Sequence, residues 1–118
     1  MTRSKQKQRP KYYKLVGECV VAVDDAMTWS RWFEDSNRHI ADEKVTHGTK
    51  SCRVSTVFLG LDHNFSDRGR PVLFESMVFS GPVDGMEERY CTVGEARAGH
   101  KRMVKKVKDE YRRMDAHH

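Results

Sequence analysis

Asp62, His63, Glu75 and His100 are the most evident acid–base set in this sequence. A histidine exchanges its proton near neutral pH, and a carboxylate beside it orients the ring or takes the proton in turn. Asp62 and His63 are adjacent in the stretch Val54 to Phe79, VSTVFLGLDHNFSDRGRPVLFESMVF, where two β-rich apolar runs flank a polar loop. Such a set would suit a small hydrolase or a phosphate-ester enzyme. The surrounding motifs lend it little support. There is no GxSxG elbow, reactive-cysteine context, GxGxxG or Walker-type loop, and Asp62, His63 and His100 lack the helical or HExxH spacing of metal ligands. The sequence thus assigns no catalytic residue, no metal and no cofactor, and it leans away from turnover.

Cations are better supplied than catalytic groups. Residues 1–14 carry six basic side chains and no acid, residues 15–99 have a net charge of −5, and residues 100–118 have +4, for a total of +5. A mildly acidic body therefore carries two basic ends, a pattern that attracts polyanions. Lys11, Arg68, Arg70, Lys101, Arg102, Lys105, Lys108 and Arg112 are the candidate nucleic-acid or partner contacts, with Tyr12 and Tyr13 interleaving aromatics with the arm. No helix-turn-helix, zinc-finger or RNP signature accompanies them, so the expectation is phosphate contact with weak sequence readout.

The elements that must position these groups follow from periodicity. Residues 1–11 read as a flexible basic arm and residues 12–118 as a single domain. Tyr12 to Val23 is β-rich, and its VVAV run is apolar on both faces, as an inner strand would be; Gly17 and Glu18 mark a bulge or an exposed start. Asp24 and Asp25 offer an N-cap to an amphipathic helix over about 26–40, with Ala26, Trp29, Trp32, Phe33, Ser36 and Ile40 along one side. A polar stretch at 41–50 turns at His47-Gly48-Thr49. Strands at Cys52–Leu61 and Val72–Phe79 then flank the loop, and a short strand covers Glu88–Cys91. Thr92-Val93-Gly94-Glu95 is a capping box, and the helix it starts carries Ala96, His100, Met103, Val104, Val107, Tyr111 and Met114 on one side. The order predicts an α+β fold: an antiparallel sheet of about four strands with two helices packed on it.

Two expectations concern burial. Alternation puts Glu75 on one face with Leu73, Met77 and Phe79, so its carboxylate needs a partner, with His100, Arg53 and Arg89 as candidates. A Glu75–His100 hydrogen bond would act as a polar staple and leave Asp62, His63, Arg68 and Arg70 for exposed recognition. Cys19, Cys52 and Cys91, widely spaced and inside strands, read as buried reduced thiols.

Leu61-Asp62-His63, Phe74-Glu75-Ser76-Met77, Arg89-Tyr90-Cys91-Thr92 and Gly99-His100 together form a pattern. It resembles a group of small uncharacterised proteins encoded by tailed bacteriophages and prophages, over about residues 29–107. The resemblance implies a phage origin and a shared fold, and it supplies no catalytic assignment. Ser76 replaces a usual Thr, and Val93 stands where those proteins often have Trp. The expected role is that of a phage accessory protein that binds nucleic acid or a host defence or transcription component, in the cytoplasm of the infected cell. No apolar run approaches the roughly 20 residues of a membrane span, the basic N-terminus has no apolar run behind it to make a signal peptide, and an exposed edge strand would allow a homodimer.

Overall fold

A computed structural model describes residues 9–66 and 68–116. Strands β1 (Tyr12–Val16) and β2 (Cys19–Val23) are followed by helix α1 (Ala26–Asp35). Strands β3 (His39–His47), β4 (Lys50–Phe58), β5 (Phe74–Phe79) and β6 (Glu87–Tyr90) precede helix α2 (Val93–Ala116). All pairings are antiparallel. β3-β4-β5-β6 form a four-stranded sheet in that order, and β1-β2 form a separate hairpin. The α+β fold with a four-stranded sheet agrees with the sequence reading. The two-stranded sheet is additional.

The core lies between the sheet and α2, because β4 and β5 alternate strictly. Val54, Thr56 and Phe58 of β4 and Phe74, Ser76 and Val78 of β5 are buried, while the residues between them face the other way. The α2 stripe of Ala96, Gly99, His100, Met103, Val104, Val107 and Tyr111 closes over them. Two apolar clusters result, one around Val54, Val78, Val107 and Tyr111, the other around Phe58, Phe74, Tyr90 and Ala96. Gly99 is required at its position. A Cβ there would lie 2.2 Å from the Tyr90 ring, so the ring packs directly on the helix backbone.

The capping box forms as expected. Thr92 Oγ1 accepts from the Glu95 amide at 3.1 Å, and Glu95 Oε1 accepts from the amides of Thr92 at 3.2 Å and Cys91 at 3.0 Å. Asp25 caps α1 by accepting from the amides of Met27 and Thr28.

The N-terminal third corrects three expectations. VVAV is not an inner strand: Gly17, at φ +61°, turns the chain back so that Tyr12–Val23 becomes a hairpin with β2 on its free edge. Helix α1 stops at Asp35, where Ser36 adopts an extended backbone, so Ile40 belongs to β3. The polar stretch at 41–50, given no strand in the sequence reading, is largely the edge strand β3, with the turn at Gly48-Thr49 leading into β4. The hairpin joins the rest through Tyr13, whose amide donates to the Gly60 carbonyl at 2.8 Å, and through Trp29 Nε1, which donates to the Tyr13 carbonyl at 2.8 Å. Gly60 has φ +77° and runs beneath Phe33, 3.0 Å from where a Cβ would sit. Of the three cysteines only Cys52 is buried; Cys91 is partly buried, and Cys19 is exposed because the hairpin leaves β2 uncovered.

Candidate anion-binding site

The four acid–base candidates do not converge. Asp62 leaves the sheet just beyond β4, and its carboxylate is 5% exposed. It accepts from the amides of Asn64 at 2.8 Å and Val72 at 3.0 Å, which ties the two ends of the loop together. The Arg9 guanidinium closes this arrangement, with Nε 2.7 Å from Asp62 and the remaining nitrogens donating to the carbonyls of Asn64, Ser66 and Gly69. Asp62 is thus an internal brace rather than an exposed recognition group, because a buried carboxylate must be paired. His63 Nδ1–H donates to the Leu61 carbonyl at 2.8 Å, and the ring lies 6.1 Å from Phe65, which is 89% exposed at the loop tip.

Glu75 and His100 lie on opposite faces of the sheet. Alternation along β5 was read correctly, but Phe74, Ser76 and Val78 form its inward set, so Glu75 faces outward and accepts from Arg89 Nε at 2.9 Å. His100 instead bonds Thr56 Oγ1 through Nδ1 at 2.7 Å and Glu43 through Nε2 at 3.0 Å, and Thr56 in turn bonds Ser76 Oγ at 2.5 Å. A neutral ring that donates Nε2–H to Glu43 leaves Nδ1 to accept from the Thr56 hydroxyl. His100 is 3% exposed and both hydroxyls are fully buried, so only the half-exposed Glu43 end reaches solvent. The chain is a satisfied polar layer between the two apolar clusters, beyond the reach of a substrate. The Tyr90 hydroxyl is also buried under α2, which raises its pKa above the ordinary phenol value.

The cations fall into two groups around α2. Arg97, Lys101, Lys105, Lys108 and Arg112 recur at steps of four and three, which places them on one flank of the helix over about 22 Å. Arg97 pairs with Glu18 of the β1–β2 turn, while Lys105 and Arg112 share Asp109 at 2.7 and 3.1 Å. Lys101 and Lys108 are exposed and have no acidic partner among the described residues. Arg97 extends the flank that the sequence reading began at Lys101; its spacing of four from Lys101 was the available signal. Lys11 and Arg68 are exposed on the loop side, and neither belongs to this row.

The second group surrounds a depression of about 420 Å³ at the free edge of β6, lined by Arg70, Arg89, Tyr90, Cys91, Glu95, Ala98 and Arg102. Arg70 and Arg102, expected as contacts, meet here with Arg89, which the sequence reading considered only as a countercharge. Arg70 Nη2 donates to Glu95 at 3.0 Å, and Arg102 Nη2 donates to Glu88 at 2.6 Å. The Cys91 amide, followed by the Arg70 guanidinium, holds the Glu95 carboxyl below the usual carboxylate range. No group of three His, Cys, Asp or Glu side chains among the described residues is placed to hold a metal ion, and no described helix is long and apolar enough to cross a membrane. The chain matches no family model, no curated protein and no solved structure.

Proposed function

We propose that this protein works by binding, without turnover, and that its main contact is a nucleic-acid backbone laid along α2. The observation that carries this reading is the row from Arg97 to Arg112, in which Lys101 and Lys108 project into solvent without an acidic partner among the described residues. Cations spaced one helical turn apart neutralise successive phosphates and release counterions, giving affinity that falls with salt and reads sequence weakly. The resemblance of its motifs to tailed-phage proteins supports an accessory role in the infected bacterial cell. The alternative, a hydrolase using His63 and His100 with Asp62 or Glu75, has no support from the geometry, since these groups are held apart by separate partners.

The test is fluorescence anisotropy with duplex and single-stranded oligonucleotides across a salt series. Replacing Lys101 and Lys108 with alanine should lower the slope of log affinity against log salt by roughly one per lysine. Absence of binding at low salt, or an unchanged slope in the double variant, would defeat the reading. A host protein is the second reading, favoured by the bare aromatic Phe65 at the loop tip, since aromatics are enriched at protein interfaces. Capture of a host protein that Phe65→Ser abolishes, with no nucleic acid bound, would select it.

A further inference from the structure

We infer that the depression at the free edge of β6 is a receptor for a phosphoryl group. Three parts of the chain build it: Arg70 at the end of the β4–β5 loop, Arg89 and Tyr90 on β6 with Cys91 just beyond it, and Glu95, Ala98 and Arg102 on the first turns of α2. Each arginine contributes one N–H to a carboxylate. Arg70 uses Nη2 on Glu95, Arg89 uses Nε on Glu75, and Arg102 uses Nη2 on Glu88. A guanidinium carries five N–H donors in a rigid fork, so these pairs orient the heads and leave further donors for an anion.

The backbone adds to this. The Tyr90 carbonyl accepts from the Leu73 amide at 3.0 Å, which turns Tyr90 toward β5. Alternation along an antiparallel edge strand then directs the Arg89 N–H outward, to the free edge. Each guanidinium is matched by one carboxylate, and that of Arg89 pairs with Glu75 on the sheet face away from α2. What the depression offers a tetrahedral anion is therefore the spare N–H donors of Arg70 and Arg102 beside the Arg89 amide, rather than an excess of positive charge. Its volume is within the range of small-ligand clefts. This site stands apart from the row proposed for nucleic acid, because Arg102 turns to Glu88 of β6 whereas Arg97 turns to Glu18 of the hairpin.

Cys91 lines the depression and reports on it. In the full-length Cys19→Ser protein, with Cys52 buried, the rate of alkylation by iodoacetamide reads the exposure of Cys91. Inorganic phosphate at millimolar concentration should slow that rate saturably, while acetate at matched ionic strength should not. Arg70→Gln and Arg102→Gln, both exposed, should each raise the half-saturating phosphate concentration, and together by roughly tenfold or more. A 5′-phosphorylated oligonucleotide that saturates earlier than its 5′-hydroxyl counterpart identifies a strand end as the source of the phosphoryl group; equal behaviour of the two, with protection by inorganic phosphate, identifies a free phosphate compound. Either result supports the site. No protection by phosphate, equal protection by acetate, or unchanged half-saturation in the double variant overturns it. Loss of nucleic-acid binding with Cys91 protection intact would defeat only the reading of the α2 row.

Discussion

The sheet–α2 unit and the hairpin–α1 unit share one chain but hold together by different means. In the first, β4, β5 and α2 each bury a continuous stripe, and the core between them contains Val54, Phe58, Phe74, Val78 and Val107 with almost no exposed surface. In the second, α1 has no fully buried residue, Met27 and Val16 are largely exposed, and β2 has a free edge. The difference teaches that apolar content alone does not make a core. VVAV is more hydrophobic than the Thr56 and Ser76 segments, yet only one of its faces is covered: Val20 packs against the Tyr13–Phe58 cluster, while Val21 and Ala22 stay exposed beside the free edge of β2.

Phe58 is where the two units meet, with its ring 5.8 Å from Trp32 and 5.2 Å from Phe74. Phe58→Ala should therefore weaken both, costing about 3–5 kcal/mol in denaturant unfolding. Retention of a separate, unshifted transition for either unit would show that they are more independent than this contact implies. Gly99→Ala should act on the sheet–α2 unit alone. Its methyl would overlap the Tyr90 ring, an overpacking that costs about 1–3 kcal/mol or more, and the same substitution should cost less in a Tyr90→Ala background, where the ring is gone. Trp29→Phe should do the opposite. Losing the bond to the Tyr13 carbonyl costs about 1 kcal/mol, read as faster amide exchange over Tyr12–Val23 with β4 and β5 amides unchanged.

The smallest effect concerns pH. Glu95 titrates below its ordinary value when folded, so its contribution is fully present above about pH 4.5 and is lost as pH falls through the depressed value. Glu95→Gln should flatten the acid limb of stability against pH below that point. An acid limb as steep as that of the parent protein would place the sensitivity elsewhere.

The parts legible in the sequence were those whose own periodicity decides their environment. The α2 stripe and the capping box are local patterns, and both formed as read. The β4 and β5 alternation was equally local, but which face turned inward was not. Phe74, Ser76 and Val78 compete with Glu75, Met77 and Phe79, and only the pairing with Thr56 and the cover supplied by α2 decide between them. β3 was missed because an edge strand such as HIADEKVTH needs few apolar residues: Val45 alone is fully buried, and Glu43 faces inward only to reach His100. The arginine depression was half legible. Arg70 and Arg102 were named, but their meeting with Arg89 depends on the order of the strands, which places β6 at the sheet edge.

The buried Thr56–Ser76–His100 layer bears on how the chain finds its strand register. Sliding β5 along β4 by two residues keeps every side chain on its proper face, so the hydrophobic pattern by itself cannot forbid it. In that slipped pairing Thr56 would oppose Phe74 or Val78 instead of Ser76. Thr56 would keep its bond to His100, but the Ser76 hydroxyl would be buried without its partner, at about 1–3 kcal/mol. A single polar rung thus acts as a ratchet tooth, letting one alignment of the two central strands close under α2 and penalising its neighbours.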